Sequence, residues 1–280
     1  MEVIVNIFTT FLASKYKNIQ SDTSNFLKMI SCRMPQIQRE ANTELEHPFT
    51  IKELRNAVDK AKHRKSPGPE GICHKFYKHI WDCSKNDLLD IVNNMYLDGV
   101  VSKEQKHGHI VCLPKVDNPV CPENYRPLNI LNTDCKLLTR ILAYRLRPWM
   151  EDVLHQNQYC GRNGKSIYDA VATVRDIIAY AEVTNASIYL LSIDFSDALD
   201  KISHTYLFSI IMEYGISANF CQRLRNIYAD AISTLTMNGH KSKPNKIRSG
   251  VRQGCPLSML LFAVCINPLL INLHRRLQGV

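Results

Sequence analysis

Three aspartates stand close together in Asp194-Phe195-Ser196-Asp197-Ala198-Leu199-Asp200, directly after the apolar run Ile188 to Ile193. Hard divalent cations are held by carboxylate oxygens, best when the carboxylate rides on a rigid element. The apolar run is too short for a helix in this setting and reads as a buried strand, which would deliver Asp194 at its end. In-line phosphoryl transfer uses such cations. The same aspartate equally suits capping a following helix, and the residues by themselves leave both roles open. Asp197 and Ala198 fall in a turn whose backbone amides can face a polyphosphate. Asp200 reads as a helix cap or as the ion-pair partner of Lys201. A second group lies downstream in Ser249-Gly-Val-Arg252-Gln253-Gly254-Cys-Pro-Leu-Ser258. Glycine there admits close backbone approach, and glutamine hydrogen-bonds as donor or acceptor. Lys115 and Arg126 are cations of the kind that grip phosphate, arginine with bidentate geometry. Taken alone they read as solvated surface charges. The basic run Lys62 to Lys65, which includes Arg64, suits either a nucleic-acid backbone or an ordinary solvated face.

The composition narrows the partner class. Over 280 residues, 35 Lys and Arg against 26 Asp and Glu leave a net charge of +9, a balance that favours nucleic acid or an anionic surface. The length allows one large domain or two. Ten cysteines are scattered, none in a C-x-x-C pair, so zinc-ribbon and thioredoxin chemistry is unsupported. His107-Gly-His109, with Cys112 after it, lacks the paired spacing of a metal site. Single cysteines point to a reducing compartment, cytoplasmic or nuclear and not secreted. The apolar N-terminus lacks a basic n-region and is broken by Asn6 and two threonines. It reads as a helix packed on the body, not a signal peptide. The most apolar window, Leu257 to Ile271, is interrupted by Asn267 and Pro268 and reads as too short to span a bilayer, so no membrane partner is expected.

The elements that must position these residues follow from periodicity and punctuation. Gln36 to His47 is polar and reads as a linker. Thr50 and Glu53 form a capping box for a helix with Leu54, Val58 and Ala61 on one face. Asp87 to Tyr96 and Leu137 to Arg147 are further helices, Pro148 ending or kinking the second. Gly108 to Leu113 reads as a strand. Ser166 with Asp169 opens a helix to about Ala181. His204 to Tyr214 is a helix closed by Gly215, and Phe220 to Ala231 is another. Thr234 to Met237 alternates and then turns on Asn238-Gly239, a hairpin signal. Pro256 to Leu277 reads as a final helix, kinked at Pro268.

The motifs in order resemble the reverse transcriptase of non-LTR, LINE-type retrotransposons, over about Thr50 to Leu270. The residues carrying the resemblance are Lys65-Ser-Pro-Gly-Pro-Glu-Gly-Ile72 with Phe76-Tyr-Lys78, Ile110-Val-Cys-Leu-Pro-Lys115, Asn124-Tyr-Arg126-Pro127, the Asp194 segment and Arg252-Gln-Gly-Cys-Pro-Leu-Ser258. Gln158-Tyr-Cys160-Gly161-Arg-Asn-Gly164-Lys-Ser166 is similar to a further family turn, with Cys160-Gly161 where the family has Gly-Phe. Tyr228-Ala-Asp230 looks like part of the family's catalytic box but lies before the Arg-Gln-Gly motif, so Tyr228 reads as core and Asp230 as exposed.

The resemblance implies an α+β right-hand polymerase: an N-terminal helix and linker over 1–49, fingers over 50–185, and a partial palm over 186–280 without a thumb. It implies RNA-directed DNA synthesis from an RNA template and DNA primer, with deoxynucleoside triphosphates and two Mg2+ ions in the complete enzyme. Asp194 would be catalytic, and Asp194 with the Phe195 carbonyl would hold metal. Lys115, Arg126, Phe195, Asp197, Ala198, Leu199, Gln253 and Gly254 would bind nucleotide, with Leu199 standing where the family has an aromatic residue. Arg64 and Lys65 would touch template; Arg252 would be either structural or a contact to template phosphate. A second carboxylate cluster is expected beyond Val280, so the chain reads as truncated before it. The alternative is a catalytically inactive nucleic-acid-binding remnant.

Overall fold

The computed structural model describes residues 2–17, 34–61, 66–162 and 164–277. The run Lys62 to Lys65, with its expected template contacts Arg64 and Lys65, lies outside the described residues. The architecture is α+β: a helical body with a small mixed sheet at one side.

Helix α1 (Glu2–Lys15) buries Val5, Phe8 and Leu12, a three- and four-residue spacing that makes one apolar stripe. The stripe meets Ile110, Ala231, Leu235 and Ile247 of the sheet region in a small separate core. Helix α2 (Arg39–Glu46) corrects the linker expected here. Its sequence is polar, yet Ala41 and Leu45 are fully buried, and two apolar positions four apart suffice to seat a short helix. Helix α3 (Ile51–Asp59) opens on the Thr50–Glu53 capping box and buries Leu54, Ala57 and Val58. Helices α4 (His74–His79) and α5 (Trp81–Asn93) follow, α5 running into a π turn over Asn94–Asp98 that Gly99 closes in the left-handed region. A single turn, α6 (Lys103–Lys106), leads into strand β1 (His107–Pro114).

Strand β1 pairs antiparallel with β2 (Tyr125–Ile130). Helix α7 (Thr133–Val153) is the central helix, with twelve buried residues. It continues past Pro148 to Val153, further than the proline suggested. Arg145 on α7 anchors the segment before α3: it pairs with Glu53 at 2.5 and 2.8 Å, donates to the Pro48 carbonyl at 2.8 Å and lies 4.5 Å from the Phe49 ring centre. The proline- and glycine-rich turn at 66–71 caps this helix. The Thr133 N–H donates to the Glu70 carboxylate at 2.7 Å, which also opposes the positive end of the helix dipole.

Helix α8 (Ile167–Thr184) starts on the expected Ser166–Asp169 capping box. Helices α9 (His204–Glu213) and α10 (Ala218–Tyr228) bury Leu207, Ile211, Phe220 and Leu224 in the main core, with Gly215 between them at φ +83°. Tyr228 is buried, and Asp230 is exposed at φ +54°. Strand β3 (Ile232–Met237) runs parallel to β1, and the Asn238-Gly239 turn returns the chain as β4 (His240–Lys241). Strand β5 (Asn245–Lys246) pairs with the start of β3. The sheet order is β2-β1-β3-β4, with β5 also on β3. Helix α11 (Ser258–Arg276) carries Pro268 inside it and sinks Leu260, Leu261, Ala263 and Val264 into the main core. By length and composition alone it could cross a membrane, which corrects the expectation that this window is too short; much of it is core.

The run Ile188 to Ile193 is not a strand. It is irregular and exposed, Tyr189 almost completely and Leu191 at 81%. A strand exists through hydrogen bonds to a neighbour, and no described strand runs beside this segment. The adjoining α8 is exposed along most of its length, including Ile167, Tyr168 and Val171.

Candidate functional site

Four pieces of chain converge on one open cleft of about 590 Å³, the end of α1 and three that the sequence pointed to, within the ~300–1,000 Å³ usual for small-molecule sites. The first is the β1–β2 hairpin. Its register sets Leu113 opposite Arg126. Just past β1, the Lys115 amide donates to the Asn124 carbonyl at 2.7 Å, and its ammonium donates to the Glu123 carbonyl at 3.0 Å. Both cations therefore sit at one end of the hairpin, exposed and lining the cleft.

The second piece is the Asp194–Asp200 segment. Asp197 adopts φ +57°, and its carbonyl accepts from the amides of Asp200 and Lys201 at 2.9 and 3.0 Å. This tight turn presents Asp194, Phe195, Ser196, Asp197, Ala198, Leu199 and Asp200 to the cleft. Behind it the chain is fastened to 249–251. The Val251 amide donates to the Leu199 carbonyl at 2.8 Å, and the Gly250 amide to the Ile202 carbonyl at 2.7 Å. Gly250 is at φ +82°, and a Cβ there would stand 2.6 Å from the Asp200 carbonyl oxygen, so only glycine fits this approach.

The third piece is the Arg-Gln-Gly turn. The Gln253 carbonyl accepts from the Asn129 amide on β2 at 2.8 Å, and its side chain donates to Asp200 at 2.9 Å. The turn is thus hung between the hairpin strand and the aspartate turn.

Of the residues expected from sequence, Lys115, Arg126, Asp194, Phe195, Asp197, Ala198, Leu199 and Gln253 line this one cleft. Four expectations are corrected. Asp194 is not at the end of a buried strand but on an exposed irregular segment. Gly254 does not line the cleft; at φ +108° it makes room for the Asn129 carbonyl, 2.6 Å from where a Cβ would be. Arg252 is buried, 4% exposed, with its guanidinium 5.3 Å from the centre of the Tyr228 ring, so it is a core cation that cannot reach a template. Asp200 pairs not with Lys201 but with Lys15, and Lys201 lies 3.8 Å from Asp197 instead.

Sequence reasoning missed Phe11 and Lys15, which bring α1 into the cleft. Lys15 Nζ lies 2.7 Å from Asp197 and 3.0 Å from Asp200, with its side chain 4% exposed. Burial opposes its charge, but the two carboxylates outweigh burial and hold the ammonium above the usual lysine range. Burial pushes Asp200 up in spite of Lys15 and Gln253. Burial would also raise Asp197, but the Lys15 hydrogen bond and nearby cations hold it below the usual range. A signal was present: Val5, Phe8 and Leu12 define the buried stripe, and position 15 is its next step.

The donors in the cleft suit a hard divalent cation in kind: carboxylate oxygens and the Phe195 carbonyl. Among the described residues no group of three His, Cys, Asp or Glu side chains is arranged to hold one, and two of the cleft carboxylates are paired with Lys15.

Residues 106–279 match the family described as reverse transcriptase (RNA-dependent DNA polymerase). A transposon TX1 uncharacterized 149 kDa protein of Xenopus laevis is 31% identical over 247 residues, covering 88% of this chain and 19% of that protein. The Pol polyprotein of the type-2 retrotransposable element R2DM of Drosophila melanogaster is 26% identical over 208 residues, 74% of this chain and 19% of its own length. A probable RNA-directed DNA polymerase from transposon BS of the same fly is 25% identical over 263 residues, 92% of this chain and 29% of that protein. The chain therefore spans less than a third of each of these relatives. On the family match and these likenesses together, the chain belongs to the reverse transcriptase family, among the reverse transcriptase domains of non-LTR retrotransposons.

Proposed function

We propose that this chain carries the nucleotide-selecting face of an RNA-directed DNA polymerase, in which residues 50–185 serve as fingers and 186–280 as part of the palm, after an N-terminal segment over 1–49. One observation carries the reading: the hairpin cations Lys115 and Arg126 face the Asp194–Asp200 turn and Gln253 across a single cleft. Lys115 and Arg126 grip the β and γ phosphates of a deoxynucleoside triphosphate, arginine through paired hydrogen bonds. The amides of Asp197 and Ala198 receive phosphate oxygens. Leu199 bounds the sugar pocket, and Gln253 supports the nascent base pair. Asp194 with the Phe195 carbonyl would hold Mg2+, which would supply charge neutralisation at the phosphates and activation of the primer hydroxyl. An RNA template and a DNA primer complete the substrate. The scattered free cysteines support a reducing compartment, cytoplasm or nucleus.

The test is incorporation of labelled deoxynucleotide by the purified chain on a DNA-primed RNA template, against Asp194→Ala. Incorporation that the variant loses is the expected result. Incorporation no greater than in the variant would sink the active reading. A second reading, nucleic-acid binding without synthesis, is favoured by the capture of both Asp197 and Asp200 by Lys15. It requires binding to an RNA–DNA duplex that weakens steeply with salt; a flat salt response removes both readings.

A further inference from the structure

Helix α1 reaches across the sheet to end inside the cleft, and its last residues join a polar network drawn from three distant parts of the chain. The Asp200 carboxylate, 1% exposed, takes Lys15 at 3.0 Å, the Tyr16 hydroxyl at 3.4 Å and the Gln253 amide at 2.9 Å. Lys15 also holds Asp197 at 2.7 Å, and the Tyr16 carbonyl accepts from the Arg248 amide at 3.1 Å. One ammonium thus spans the first and last carboxylates of the Asp197–Asp200 turn, and one carboxylate links that turn to Gln253.

A buried carboxylate left without its cation is strongly destabilised and must rearrange or take up a proton. Without Lys15, Asp200 would lose its counter-charge and Asp197 its tether. The cleft itself would become more negative. It is lined by Lys15, Lys115 and Arg126 against Asp194, Asp197, Asp200 and Glu123, a formal charge of −1 that becomes −2 without Lys15. A polyphosphate would then meet two freed carboxylates beside Lys115 and Arg126. Two of the three Lys15 donors are already spent on carboxylates, so the residue acts on the ligand through the turn and not by direct contact.

We propose that Lys15 is a positioning residue of the nucleotide cleft: it clamps the Asp197–Asp200 turn and, through Asp200, sets Gln253 in the geometry that accepts a nucleoside triphosphate. This rests on the nucleotide reading of the cleft. It makes the N-terminal helix part of the substrate site although the sequence places it some 180 residues from the turn.

The experiment is equilibrium binding of a fluorescent deoxyadenosine triphosphate, with Mg2+, to the full 280-residue chain, read by anisotropy alongside thermal melting. Wild type binds saturably, and Arg126→Ala weakens binding. Lys15→Ala weakens it about tenfold or more, and Lys15→Arg restores most of the loss, since guanidinium spans the same two carboxylates. Lys15→Ala/Asp200→Asn removes the unpaired buried charge, melts near wild type and still binds about tenfold more weakly. No saturable binding by wild type would overturn the nucleotide reading, and this inference with it. Binding by wild type that falls in Arg126→Ala but is unchanged or tighter in the folded double variant would overturn the role of Lys15 alone.

Discussion

Gly254 shows how a motif residue can be legible while its reason is not. The Arg-Gln-Gly spacing singled it out, and close backbone approach was the right physics, but the partner is internal. At φ +108°, with the Asn129 carbonyl oxygen 2.6 Å from a would-be Cβ, an alanine meets both a strained dihedral and a rigid backbone atom. Gly254→Ala is expected to lower stability by about 1–3 kcal/mol, read as a fall in the denaturation midpoint, with Gln253 shifted out of its bond to Asp200. For Arg252 the sequence left a structural role and a template contact equally open, because nothing local announces a Tyr228 ring to lie against. Only the packing of α10 on the segment before α11 supplies it.

At the scale of elements, periodic segments were readable and the short polar ones were not. The capping boxes at Thr50 and Ser166 start their helices where the side-chain chemistry demands, because a cap is a local interaction between residues three apart. Helix α2 escaped notice because its two buried residues, Ala41 and Leu45, are too few to rise above a polar background. What fastens that region is Arg145 on α7. Burial alone would raise the Glu53 carboxyl, but Arg145 and Thr50 outweigh it and hold it below the usual carboxylate range. Truncating Arg145→Ala takes the cation from Glu53 and the donor from the carbonyls of His47 and Pro48. The expected loss is about 2–4 kcal/mol, seen in urea unfolding. A loss below about 0.5 kcal/mol would mean the cluster behaves as an ordinary surface pair.

For the whole molecule, acid stability follows from histidines that the fold holds neutral. His74 is 7% exposed; burial, and then Arg140, Lys136 and Lys78, push it down to about 4. His204 is lowered chiefly by burial, although its ring donates to the Gly250 carbonyl at 2.9 Å. Because the unfolded chain binds these protons near pH 6.5 and the folded one only at lower pH, their contribution is complete above about 6.5 and shrinks as pH falls toward 4. Stability should drop by about 1–3 kcal/mol for His74 over that window. Replacing His74 with Gln should flatten the profile between pH 6.5 and 4; an unchanged slope would remove His74 as its source.

The sequence alone determined the family, the helical body, the hairpin at Asn238-Gly239 and most of the residues that meet in the cleft. These rest on local spacing, capping chemistry and ordered motifs, all of which act over a few residues. Tertiary structure decided the fate of Ile188 to Ile193, which has strand composition but no described neighbour to pair with. It also turned Arg252 inward and set Lys15 between Asp197 and Asp200. Burial, strand pairing and charge neutralisation are each properties of two groups brought together. A residue's type says what partner it needs, but only the folded chain says which partner it has.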